Sequence, residues 1–141
     1  MIRKNWSYTL LFLPILLVLS ACSSLDMNID DAISGQDADV VRGERLFGQP
    51  TIGSESAPGC ITCHSLEEGV VIVGPSQVGM ATRAGQAIPG TAASDYLRAS
   101  IVEPDAFVAP GFAEGVMYPD YANDLTADEI DALVAFLLTA N

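Results

Sequence analysis

From Asp37 onward the chain alternates between stretches of helical spacing and stretches with no period at all. Asp37-Ala-Asp-Val-Val-Arg-Gly-Glu-Arg-Leu-Phe47 sets Val40, Gly43 or Glu44, and Phe47 along one face, with Asp37 or Asp39 as a starting cap. Gly43 costs a helix interior up to about 1 kcal/mol against alanine. Its presence predicts that another backbone approaches there. Thr91 to Glu103 predicts a second helix, capped near Thr91 and stopped by Pro104, with Tyr96, Leu97, Ser100 and Ile101 turned inward. The third pattern is the clearest. Thr126 and Glu129 form a capping box, and Leu125 and Ile130 suit the accompanying hydrophobic staple. Ile130, Leu133, Val134, Leu137 and Leu138 then follow at helical spacing, with Phe136 alongside.

The segments between are rich in glycine and proline. Gln49–Gly59 and Pro104–Asn123 read as loops, and Val70–Val73 as extended loop without a strand partner. Gly74, Gly79, Gly85, Pro89 and Gly90 predict irregular chain over 74–90. The architecture is therefore all-α: three or more helices joined by long loops. Loops of such length in a small domain imply a functional purpose and a thin core. Something large and apolar has to fill the middle.

The N-terminal pattern is different. Arg3 and Lys4 precede an apolar run, Tyr8 to Leu19, of about a dozen residues, the length of a signal-peptide core and short for a membrane span. Leu19-Ser20-Ala21-Cys22 resembles a bacterial lipobox. That resemblance implies a lipoprotein signal peptide over 1–21 and a diacylglyceryl group on Cys22. An ordinary secretory cleavage site is the blander reading. Residues 22–37 then form a lipidated cysteine and a flexible acidic linker, with a coil reach of roughly 20 Å and a limit of about 50 Å. A short helix within it is the alternative. The folded domain is 38–141. It is expected to lie outside the cytoplasmic membrane, tethered to its outer face, on the periplasmic side where a periplasm exists.

Charge narrows the partners. The full chain carries −12. Loss of Arg3 and Lys4 with the leader leaves four arginines and no lysine against 18 acidic residues, a net −14. Such a chain repels nucleic acid and anionic head groups. A protein partner has to meet it with a basic or a mainly apolar surface.

With Cys22 assigned to lipid, chemistry rests on Gly59-Cys-Ile-Thr-Cys-His-Ser65. Cys60-x-x-Cys63-His64 is the spacing of c-type haem attachment. Two thiols three residues apart on a turn reach two vinyl groups of one porphyrin, and the next imidazole falls over the iron. One haem c would also supply the missing apolar filling. A thioredoxin-like redox pair lacks its β-α-β setting, a zinc site lacks a fourth ligand, and a plain disulfide leaves the loops unexplained. The sixth iron ligand has to come from Met27, Met80 or Met117, because the chain has no second histidine. Met27 is in the linker. A ligand from the far face of the ring favours the distant loop of Met117, with Met80 or an open site as the alternatives.

These residues resemble class I cytochrome c over nearly all of 38–140, and the resemblance implies the cytochrome c fold. In that family the glycine and aromatic of the N-terminal helix, here Gly43 and Phe47, cross the C-terminal helix at its aromatic, here Phe136. Gly74-Pro75 matches the loop whose proline carbonyl accepts the hydrogen bond of the proximal histidine. Arg83 falls at the place of an arginine near a haem propionate, and Met80 at an apolar, non-ligand place, which adds to the case for Met117. The chain departs from the family in reading Met117-Tyr118-Pro119 where Met-Pro is common. It also lacks the tryptophan near a propionate, a place that Tyr96, Phe107 or Tyr118 would have to take.

The resemblance implies a one-electron carrier with His64 and Met117 on the iron and no small-molecule substrate, not an enzyme by itself. Its partners would be redox proteins or a respiratory or photosynthetic membrane complex. A fixed subunit of a quinol-oxidising or terminal oxidase complex is the alternative, and a haem-based sensor a weaker one.

Overall fold

The computed structural model describes residues 29–140. The leader, Cys22, Met27 and the first part of the linker lie outside the described residues. Helix α1 spans Ile29–Phe47, followed by strands β1 (Thr51–Ile52) and β2 (Ala57–Pro58) and a 3₁₀ turn at Cys60–Thr62. Helices α2 (Met80–Ala87), α3 (Ala93–Val102), α4 (Tyr121–Asp124) and α5 (Ala127–Thr139) complete the chain. The architecture is helical, as the periodicity predicts. Among the described residues the only sheet is a two-stranded antiparallel ribbon, with Thr51 opposite Pro58 and Ile52 opposite Ala57.

The contact that sets the frame is between α1 and α5. A Cβ built on Gly43 would lie 2.6 Å from the Ala132 carbonyl carbon and 2.7 Å from Phe136 Cβ, and closer still to the Ala132 oxygen. Only glycine lets the two backbones approach this far. One turn later Phe47 meets Phe136, ring centroids 5.5 Å apart and tilted by 53°. Phe47 and Leu133 are the largest fully buried side chains. The capping box forms as expected: Thr126 Oγ1 accepts from Glu129 N, and Glu129 Oε2 accepts from Thr126 N at 2.9 Å. Leu125 and Ile130, the staple pair, are both buried.

Four boundaries depart from the sequence expectation. Helix α1 begins at Ile29, so Ile29–Asp37 is helical where the pattern suggests linker. A helix anchored by its packed end extends at little cost, because each added residue gains a hydrogen bond without a new nucleus. Residues 80–87 form α2 instead of irregular chain. The glycines and proline that suggest a loop stand at its ends: Gly79 precedes it at φ 70°, and Pro89-Gly90 (φ 82°) turns the chain after it. Burial of Met80 and Ala84 then outweighs the one interior glycine, Gly85. Tyr121–Asp124 adds a single helical turn, α4, within the expected 104–123 loop and just past it. At α3 the N-cap is Ala92, without a side-chain hydrogen bond, so Thr91 does not cap it.

The expected result of Gly43→Ala follows from these distances. The methyl group cannot fit without parting α1 from α5, so the haem-loaded protein should lose at least about 3 kcal/mol, read as a lower denaturant midpoint. An unchanged midpoint would contradict the close approach.

Candidate haem-binding site

Local sequence shapes the turn that carries the two thiols. Gly59 N donates to Pro50 O at 2.9 Å, and a Cβ on Gly59 would collide with Gln49 O. The turn is thus pressed against the chain that leaves α1. Thr62 closes it from within: its backbone N and its Oγ1 both donate to Gly59 O, at 3.0 and 2.6 Å. Cys63 N and His64 N both donate to Cys60 O, at 3.1 and 2.9 Å. Cys60, Cys63 and His64 consequently stand on one rigid turn. The two thiols are not joined to each other.

A second segment supports the imidazole. Val73 N and Gly74 N both donate to Cys63 O, and Gln77 N donates to Ser65 O. Loop 65–77 therefore folds back beside the turn. Its Pro75 carbonyl lies 2.9 Å from His64 Nδ1. Gly74 lies flat against the ring: a Cβ there would fall 2.3 Å from Cε1 and 2.7 Å from Nδ1. Burial holds the His64 pKa below its ordinary value, and the Pro75 carbonyl opposes that only in part. The imidazole is therefore neutral at physiological pH. A proton on Nδ1, directed to Pro75, leaves the Nε2 lone pair as a ligand. Burial also pushes the Cys60 thiol up to about 11, with the neighbouring Cys63 adding to the effect.

Cys60, Cys63 and His64 line one cavity of about 680 Å³ with mostly apolar walls. That volume is in the range of cofactor pockets. Helices α3 and α5 contribute Leu97, Ile101, Leu133 and Leu137 to it. The loop after α3 contributes Phe107, Val116, Met117 and Tyr118. This loop is held in place. Gly115 N donates to Asp105 Oδ1 at 2.8 Å, and Tyr118 OH donates to Asp124 Oδ2 at 2.7 Å. That bond to a carboxylate pushes the Tyr118 phenol up to about 12. Tyr121 OH donates to Pro58 O at 2.6 Å, tying α4 to the ribbon before the thiol turn, and burial raises its pKa.

The structure brings most of the sequence candidates together. Cys60, Cys63, His64, Pro75, Met80 and Met117 all line the cavity. So do Tyr96, Phe107 and Tyr118, the three aromatics considered for the missing tryptophan, and Tyr96 packs edge-on to Phe107 at 5.5 Å. Arg83 does not line it. Its guanidinium donates to the Ser76 and Val78 carbonyls and clamps the loop that holds Pro75. Sequence reasoning missed Gln77, a buried amide that touches both Pro75 O and the His64 ring. Its only signal was a polar residue two positions after that proline.

The residues present fit a covalently held haem. Two unpaired thiols and a neutral imidazole sit on one wall of an apolar hollow, with a glycine cradle behind the ring. Among the described residues no group of three or more Cys, His, Asp and Glu converges as a bare metal site would require. The class that this donor set defines is the c-type haem protein. The cytochrome c family profile matches residues 40–141, and the chain belongs to that family. No curated protein matches it. Membership implies covalent haem c and haem-based electron transfer. Bound here, the haem supplies a one-electron Fe(III)/Fe(II) couple. Cys60 and Cys63 would hold it, His64 would face its iron, and the apolar walls would exclude water.

Gly74→Ala tests the cradle. The new methyl group has to push the His64 ring by about 1 Å to reach an ordinary contact, and the bond to Pro75 goes with it. The haem-loaded variant should gain high-spin features in its absorption spectrum relative to wild type. An unaltered spectrum would contradict the close packing of ring on glycine.

Proposed function

We propose that this chain is a membrane-tethered monohaem electron carrier with His64 and Met117 as axial ligands. The observation that carries the reading is the single cavity shared by the thiol turn, His64 and the Met117 loop. Met80 lines the same cavity, but it sits in the first turn of α2, is 8% exposed and belongs to the core cluster. That is the position of a filler. Met117 is half-buried in a loop pinned by Asp105 and Asp124, which suits a ligand brought in from outside the helical core. With both axial positions taken, the site transfers electrons and binds no substrate. A soft thioether and an apolar pocket favour Fe(II) and raise the potential.

The leader and Leu19-Ser-Ala-Cys22 support an anchor on the outer face of the cytoplasmic membrane. Redox contacts are small and weak. A tether offsets this by raising the effective concentration at the membrane. The donor and acceptor are redox proteins or a respiratory or photosynthetic complex at that surface.

One observation favours a second reading, a fixed subunit of a quinol-oxidising or terminal oxidase complex. Val70–Val73 are 40–59% exposed, with Leu66 and Val116 exposed as well, and Val73 and Val116 also line the cavity. A lasting apolar contact would cover them. A free carrier separates from detergent-solubilised membrane complexes in salt, and a subunit stays with them.

The ligand assignment is tested with Met117→Ala in the haem-loaded protein. The midpoint potential should fall by on the order of 0.1 V, within the ~0.8 V that axial ligands command, and the reduced variant should bind carbon monoxide. A variant that titrates like wild type would remove Met117. Met80 or an open site would then replace it, and with an open site the sensor reading.

A further inference from the structure

Gln77 is 6% exposed, and a buried amide is costly unless its polar atoms are bonded. Its backbone is fixed on both sides. Gln77 N donates to Ser65 O, Met80 N donates to Gln77 O, and Arg83 holds the carbonyls of Ser76 and Val78 that flank it. The side chain is thereby aimed at the proximal ring. The amide nitrogen lies 2.8 Å from His64 Nδ1 and donates to Pro75 O at 3.1 Å, and Nδ1 lies 2.9 Å from that same carbonyl. Three polar atoms form a closed triangle.

Proton placement decides what the triangle does. A neutral His64 that ligates through Nε2 carries its proton on Nδ1. An amide N–H facing that proton at 2.8 Å would set donor against donor. Turning the amide by half a revolution exchanges its oxygen and nitrogen with almost no change of shape. The Nδ1–H then finds two acceptors, the Pro75 carbonyl and the Gln77 amide oxygen, and this shared proton replaces the bond from the amide nitrogen to the Pro75 carbonyl and bridges the two oxygens 3.1 Å apart.

We propose that Gln77 is a positioning residue for His64: its amide oxygen shares the Nδ1–H proton with the Pro75 carbonyl, fixing the ring and lowering the potential of the couple that His64 serves. The proposal rests on the reading of His64 as an axial ligand. A second acceptor draws the proton further from the ring and makes the imidazole a stronger donor, which favours the more positive oxidation state. Its effect offsets part of the rise in potential from the methionine and the apolar pocket.

The test is a redox titration of the haem-loaded protein carrying Gln77→Leu or Gln77→Glu. The midpoint reads only the difference in this bond's strength between the two oxidation states, a part of what a neutral bond contributes, so Gln77→Leu should favour the reduced form by about threefold. For one electron this is a midpoint higher by roughly 30 mV, at 59 mV per tenfold. Gln77→Glu keeps an acceptor beside Nδ1 and should titrate at or below wild type. An unchanged midpoint in Gln77→Leu overturns the proposal. So does a lowered one, which would mean that the amide donates to Pro75 and competes with the ring for its carbonyl.

Should Gln77→Leu fail to hold its haem, NMR of the reduced wild-type protein reads the same arrangement. Slow exchange of the Nδ1–H, with no close contact to the Gln77 amide protons, is the expected result. A strong contact between them overturns the proposal. The wild-type spectrum separates the two layers of the account. Absence of His64 ligation refutes the proposed function and this inference together. Normal ligation with no response to Gln77→Leu refutes this inference alone.

Discussion

An apolar hollow of about 680 Å³ lies between α3, α5, the thiol turn and the loop after α3, and these elements are disposed around its filling. Left empty and dry, such a cavity would cost on the order of 15 kcal/mol at roughly 24 cal/mol per Å³. That rivals the whole stability of a small domain. An open mouth that admits water lessens the cost, but water is a poor partner for walls of Leu, Ile, Phe and Val. A flat, apolar, covalently held ring resolves the difficulty. It explains why a chain with such long loops folds, and why those loops bring Phe107 and Met117 to the cavity wall.

The remaining constraints are close approaches of backbone, and each has a glycine. Gly43 brings α1 onto α5, Gly59 seats the thiol turn against the chain leaving α1, and Gly74 leaves room for the imidazole. These contacts share one purpose. They position the Cys60–His64 turn rigidly against a helical frame, so that the His64 imidazole is held at a fixed angle to the cavity. The hydrogen bonds around Nδ1 finish that task, with Pro75 and Gln77 on the ring and Arg83 holding the loop between them.

Much of this was legible in the sequence, and the reasons are specific. The capping box of α5 is local chemistry, so Thr126 and Glu129 announce it without tertiary context. Cys60-x-x-Cys63-His64 has one spacing and one chemistry. Gly43 stood out because it is costly in a helix and had to be compensated across space. Other features were hidden because tertiary contacts create them. Helix α2 exists through burial of Met80 and Ala84, and its glycines disguise it as a loop. Arg83 also donates to the carbonyls of Ser76 and Val78, contacts that its place in the sequence does not announce. Gln77 is informative only once Pro75 and His64 are seen beside it.

The central claim is that one haem is bound covalently through Cys60 and Cys63. The most direct measurement is mass spectrometry of the proteolytic peptide containing Gly59–Ser65, from protein made in a host that matures c-type cytochromes. The account predicts a single haem adduct on that peptide, one per chain, with both sulfurs consumed. A peptide with free thiols or a Cys60–Cys63 disulfide would contradict it.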